Sequence, residues 1–199
     1  MIEMRLTIHK QSILRRSNVK TETDYSKYRG ILREDFHKRC GYCSKPENIT
    51  TTGFEIDHFV PISIDKNKKT EYTNLVYSCF TCNRKKSSKW PTKNANLPND
   101  GTVGFVDPAS NDYNLHLGRN EKGEIEYYTE LGKYMSEIVF KFNIRPTKIL
   151  WQIDQLFEKQ EELGEKINLG VFSEEEACLL AKICCQIREL QAYIFEKKE

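Results

Sequence analysis

Two Cys-x-x-Cys pairs set the first limit on how this chain folds. Cys40-Gly41-Tyr42-Cys43 and Cys79-Phe80-Thr81-Cys82 are separated by 35 residues. Each pair is a tight turn presenting two thiols, and together they supply the four thiolates of a tetrahedral zinc site, with Zn–S bonds of about 2.3 Å. The intervening segment leaves room for a strand, a loop and a second strand. Four unrelated buried thiols, or a redox Cys-x-x-Cys, are the alternatives. Two pairs flanking one basic segment favour the metal. An unfolded chain has no such site, so zinc binding contributes directly to folding. There are seven cysteines, an odd number, and Met1 to Lys10 hold no apolar stretch long enough for a signal peptide. A disulfide framework is therefore not expected. The other three, Cys178, Cys184 and Cys185, fall in one helical stretch and are expected to pack on its apolar face.

Charge divides the chain. Residues 1–100 hold 19 Lys and Arg against 11 Asp and Glu, whereas residues 101–199 hold 12 against 18. That asymmetry suggests a front half that binds a polyanion and an acidic rear half with another task. Solvated basic helices give the same balance, so charge alone does not choose. The composition, 38% hydrophobic and 30% charged over 199 residues, is that of a soluble globular chain. The longest strictly apolar run, Ala177 to Ala181, is far too short for a bilayer span. A cytoplasmic protein with no membrane partner is expected.

The hydrophobic pattern places these motifs on elements. Residues 1–23 are basic and weakly patterned, a flexible arm or an edge strand. Tyr25, Tyr28, Ile31, Leu32 and Phe36 recur at helical spacing over 24–39, with Thr23 or Asp24 as N-cap. Residues 53–60 read as a strand ended by Pro61, residues 62–73 as a basic loop, 74–77 as a second strand and 79–89 as a helix. Residues 91–104 form a linker or long loop. A β-hairpin is expected from 115–119 and 124–128 around Lys122-Gly123, followed by a helix over 129–142. Pro146 opens another helix, and Ser173 with Glu176 makes a capping box for the last one. Ala177, Leu180, Ile183, Ile187, Leu190 and Ile194 line one stripe of that last helix. Four regions follow: an N-terminal arm (1–23), a core between and around the cysteine pairs (24–92), a linker, hairpin and helix (93–145), and a helical C-terminal region (146–199).

Between the cysteine pairs lies Phe54-Glu55-Ile56-Asp57-His58-Phe59-Val60-Pro61, followed by Asn74-Leu75 and then Cys82-Asn83-x-x-Lys86. Phosphodiester hydrolysis needs a base to activate water and a cation for the charge that builds on the phosphate. A neutral His supplies the first near pH 7. Asp57 and the Asn83 side-chain oxygen are hard ligands suited to Mg²⁺ or Mn²⁺. An extended strand sends Asp57 and His58 to opposite sides, so both address one site only if the backbone turns where the strand ends. Arg84, Lys85, Lys86 and Lys89 extend the same helix and are expected to hold a nucleic-acid backbone, joined by Lys66, Lys68 and Lys69. His37 and His116 lack ligand partners at suggestive spacing and read as structural or surface residues.

This pattern resembles the HNH endonuclease family, in the subset clasped by a four-cysteine zinc site. The resemblance implies an α+β fold with a ββα-metal core, in which an acidic residue plus His ends a strand, an Asn follows in the loop and a final His or Asn sits in the helix. Those positions are Asp57-His58, Asn74 and Asn83. It implies a catalytic Mg²⁺ or Mn²⁺ on Asp57 and Asn83, His58 as general base, Asn74 orienting His58 across the loop, DNA as substrate, and 5′-phosphate with 3′-hydroxyl products. Asn83 stands where the family's last letter is His, which bears on metal preference. Residues 104–132 are similar to the tail of standalone bacterial HNH proteins often encoded beside an ATPase. An ATPase-type partner, or a second copy, is expected at the C-terminal helices. Restriction or phage defence is the role that analogy implies. A zinc-stabilised DNA-binding module that does not cut remains the rival reading.

Overall fold

The computed structural model describes residues 5–50 and 52–196, and these divide into one compact unit ending at Arg145 and a second one that begins at Pro146. Asp24 starts the first helical segment as its Oδ1 accepts from Ser26 N at 2.9 Å. A 3₁₀ turn, Tyr25–Tyr28, leads into α1 (Arg29–Asp35), shorter than the pattern suggested. His37 and Lys38 adopt positive φ and end it. Strand β1 (Phe54–His58) pairs antiparallel with β2 (Leu75–Cys79), Phe54 facing Cys79 and His58 facing Leu75. Helix α2 (Phe80–Lys86) follows β2 with no linker, Cys79 being its N-cap. The basic loop between the strands carries two 3₁₀ turns, Lys66–Thr70 and Tyr72–Asn74.

A ββα unit of this size covers little apolar surface, and the flanking segments complete its core. Residues 6–16 are folded down rather than free. Leu6 bridges Arg119, Ile8 and Ile13 are buried, and Arg15 reaches the Leu75 carbonyl and both oxygens of Asp107. His9 donates from Nε2 to the Gly41 carbonyl at 2.7 Å. Burial pushes its ring down to about 4, so it is neutral at physiological pH. On the other side Trp90 stacks on Phe105, which packs edge-on to Phe140. A single turn α3 (Tyr113–His116) leads into the hairpin of β3 (Leu117–Arg119) and β4 (Ile125–Tyr127). Then comes α4 (Glu130–Lys133), capped by Thr129 Oγ1 accepting from Gly132 N. The expected helix over 129–142 widens into a π turn at Tyr134–Val139 and stops at Lys141, whose φ is 55°. The described residues up to Arg145 form one compact unit.

The second unit is a helical pair, α5 (Thr147–Asn168) and α6 (Glu174–Glu196). The capping box forms, with Ser173 N on Glu176 Oε2 at 3.0 Å and Glu176 N on Ser173 Oγ at 3.2 Å. Leu163, Ile183 and Ile187 make its core, with Leu180 packed beside them. The three cysteines of α6 depart from expectation. Cys178, Cys184 and Cys185 are exposed, because the seam with α5 covers only the stripe through Ile183 and Ile187. Ala177 is likewise exposed. Among the described residues no helix is long and apolar enough to cross a membrane.

Glycine is required at position 41. A Cβ there would lie 2.7 Å from Phe36 Cε1 and 2.7 Å from Val76 Cγ1, two stiff side chains of the core. Gly41→Ala is expected to destabilise the first unit by about 1–3 kcal/mol through overpacking, read as a lowered midpoint in denaturant unfolding.

Candidate metal centre and active site

The first cysteine pair forms a knuckle closed by Cys40 N on Lys45 O and Ser44 N on Cys40 O. Ser44 takes a left-handed φ of 56° at its end. Gly41 N donates to Tyr77 O at 2.8 Å, seating the knuckle on β2. The second pair comes from the last residue of β2 and the first turn of α2. All four sulfurs are buried and lie within 4.8 Å of one another. Cys43 Sγ and Cys79 Sγ are 4.0 Å apart, too far for a disulfide of roughly 2 Å and near the ~3.8 Å edge of a tetrahedron with ~2.3 Å bonds. Burial pushes the Cys40 and Cys82 thiols up, while hydrogen bonds from neighbouring thiols pull Cys43 and Cys79 down. Four such groups ionise together only around a cation. Four buried cysteines in this arrangement are consistent with structural zinc.

Asp57 and His58 leave β1 on opposite sides, as alternation dictates. The strand stays paired through His58, so no turn intervenes. The Glu55 and Asp57 side of the strand faces α2 and makes two rungs with it. Asn83 Nδ2 donates to Glu55 Oε2 at 2.5 Å. One helical turn further, Lys86 Nζ pairs with Asp57 Oδ2 at 3.0 Å and donates to the His58 carbonyl at 2.8 Å. Tyr42, from inside the first knuckle, donates its hydroxyl to the same Asp57 Oδ2 at 2.5 Å. Burial pushes Asp57 up and Lys86 down, and their ion pair opposes both shifts.

His58 lies across the strand, half-buried, with its ring edge-on to Tyr25 at 4.7 Å between centroids. Its Nε2 is 2.8 Å from the Lys69 carbonyl oxygen. A carbonyl only accepts, so Nε2 carries the proton and Nδ1 holds the lone pair of the neutral ring. Desolvation lowers the pKa of the ring, opposed by the Lys69 bond and by the charge of Asp57. Asn74, 4% exposed, clamps the loop that supplies this carbonyl. Its side chain accepts from Val60 N at 2.8 Å and donates to Val60 O at 3.0 Å and Lys68 O at 3.1 Å.

One expectation for the helix needs correction. Lys86 does not face a ligand: its side chain is 0% exposed, held inward by Asp57 and by the Phe105 ring at 5.6 Å. Helical periodicity turns that position toward β1. Arg84 and Lys89 are exposed and Lys85 half-exposed, with Arg84 lying 4.9 Å from the Phe80 ring centroid. Lys66 and Lys69 are exposed, and Lys68 pairs with Glu71 at 3.0 Å. His37 Nε2 bonds the Ser12 carbonyl, and His116 Nδ1 bonds Thr129 Oγ1. Glu55 and Tyr42 were not singled out from the sequence. The signal for Glu55 was its place two residues before Asp57 on the same strand face, while nothing in the sequence marked Tyr42.

Residues 40–89 match the HNH endonuclease family, and the chain carries an HNH segment there. The Septu protein PtuB of Bacillus mycoides (strain KBAB4) is 30% identical over 120 residues, covering 50% of this chain and 40% of that protein. The chain thus spans less than half the length of this curated relative. No solved structure matches it.

Removing one partner of a buried ion pair strands the other charge. Lys86→Met is expected to cost about 3 kcal/mol or more, whereas Lys85→Met should stay within roughly 0.5 kcal/mol. Equilibrium denaturation of the two variants checks this, and equal small effects would show that Lys86 is not held inside.

Proposed function

We propose that the chain is a metal-dependent endonuclease that hydrolyses DNA phosphodiester bonds, with His58 as general base. The observation that carries this reading is the Lys69 carbonyl on His58 Nε2, which leaves Nδ1 as proton acceptor on a ring that is neutral at pH 7. Asn74 acts as a positioning residue, since it holds the Lys68–Lys69 backbone against which the ring is oriented. His58 Nδ1 takes the proton from the attacking water as its oxygen bonds to phosphorus, and the bond from phosphorus to the 3′-oxygen breaks, that oxygen taking up a proton from water to leave a 3′-hydroxyl and a 5′-phosphate.

Asp57 and Asn83 would hold the catalytic Mg²⁺ or Mn²⁺ on the α2 side of β1, with Glu55 beside Asn83 adding a second carboxylate. This is an all-oxygen donor set suited to hard cations that keep several waters. The substrate phosphate would have to meet both the ion and His58 around the strand's end, since the turn expected to bring the two side chains together is absent. Tyr42 and Lys86 both engage Oδ2 of Asp57, which leaves Oδ1 for the ion. Bound there, the cation would supply positive charge to the phosphate and to the leaving oxygen. Arg84 and Lys89, exposed, and Lys85, half-exposed, would contact backbone phosphates, which position a duplex without reading its sequence. Zinc on Cys40, Cys43, Cys79 and Cys82 would be structural, because four protein ligands fill its coordination.

Similarity to a Septu protein, together with a tail like that of HNH proteins encoded beside an ATPase, supports a role as nuclease subunit in bacterial restriction or phage defence. The partner would be an ATPase-type protein or a second copy, engaged through the helical pair after Arg145.

Plasmid nicking with Mg²⁺, with Mn²⁺ and with EDTA tests the activity. His58→Ala is expected to lower cleavage by about 10²–10⁴-fold while leaving zinc content and the unfolding midpoint unchanged. Undiminished cleavage by that variant would overturn the mechanism. DNA binding without metal-dependent nicking, alone and with its partner, would leave a zinc-stabilised binding module. Because burial lowers the His58 pKa, the cleavage rate should hold level through neutral pH. It should fall on the acid side only below the ordinary imidazole value of about 6.5. A pH–rate profile at saturating metal reads this.

A further inference from the structure

Arg145 is the last residue of the first unit. A left-handed Lys141 and a 3₁₀ turn over Phe142–Ile144 bring its backbone round to the second cysteine pair. Nη1 donates to Cys82 Sγ at 3.4 Å and to the Phe140 carbonyl at 3.2 Å, and Nη2 donates to Cys79 Sγ at 4.0 Å. The guanidinium carbon lies 5.3 Å from the centroid of the Phe142 ring. A second buried arginine, Arg119, backs the other pair, with Nη2 on the Cys43 carbonyl at 2.8 Å.

Four thiolates around one Zn²⁺ leave a doubly negative centre, and a buried charge without compensation is costly. A fixed cation at the sulfurs therefore stabilises the loaded form over the empty one. A guanidinium suits the place because its planar fork reaches two acceptors at once, which an ammonium does not.

We infer that Arg145 is a positioning and charge-compensating residue of the four-cysteine centre, whose bonds to Cys79 and Cys82 slow the loss of zinc. This rests on the reading of that centre as a zinc site. It also makes the segment after the hairpin a working part of the metal centre, sixty-odd residues beyond the last cysteine ligand.

Zinc release from the purified chain to excess chelator, followed by the absorbance of a zinc-binding dye, tests the inference. Arg145→Gln is expected to release zinc about ten-fold faster or more. Arg145→Lys should fall between that variant and the wild type. Phe142→Leu removes the ring beside the guanidinium but keeps the sulfur bonds, and should release zinc at close to the wild-type rate. Wild-type release by Arg145→Gln overturns the inference, as does equal acceleration in Phe142→Leu, which would mean general loosening of the turn. Elemental analysis finding no zinc in the purified wild type would overturn the zinc reading itself, and the inference with it.

Discussion

Gathering four sulfurs at one buried point is the constraint from which the rest of the first unit follows. Cys40 and Cys43 belong to a knuckle, Cys79 and Cys82 to a strand end and a helix start. Bringing them within 4.8 Å fixes the knuckle on β2 and fixes where α2 leaves it. Tyr42 is carried along between the two knuckle cysteines, and its hydroxyl lands on Asp57. The structural centre and the candidate catalytic carboxylate are therefore one side chain apart. Lys86 continues the connection from Asp57 to the His58 carbonyl. A disturbance at the sulfurs reaches Asp57 and His58 through bonded contacts, with no need for a long path through the core.

Strand alternation then divides the chemistry. Asp57 and Glu55 face α2, where Asn83 and Lys86 meet them, and His58 faces the loop, where Lys69 meets it. The His58 ring is thus oriented by backbone and the acidic groups by a helix, two supports that meet at the His58 peptide. Asn74 belongs to the first support alone, which agrees with its position off the acidic side.

The family match covers residues 40–89, yet the compact unit runs to Arg145. Two strands and a two-turn helix leave their outer faces bare, and small cores are marginal. Ile8, Ile13, Phe105 and Phe140 fill those faces. Arg15, Arg119 and Arg145 anchor the added segments to carbonyls and sulfurs of the core. The matched segment is set in a larger scaffold, and its neighbours in sequence are parts of its stability.

The cysteine pairs, the Asp-His step, Asn74 and Asn83 were legible in the sequence because each is a local pattern with its own chemical meaning. The two strands, α2, the hairpin and the capping box at Ser173 were legible for the same reason, since period and cap chemistry act over a few residues. Tertiary contact decided the rest. Lys86 reads as one more basic residue of a DNA-facing helix until its turn toward Asp57 is known. Arg145 carries no local signal at all, because a guanidinium bond to sulfur joins positions 63 and 66 residues apart. The cysteines of α6 looked like core from their neighbours, and a single partner helix left them exposed. Sequence by itself determined which groups are available and the local shape that presents them. Which of them meet, and which face water, was settled only by long-range packing, since burial is a property of the whole surface and not of the segment.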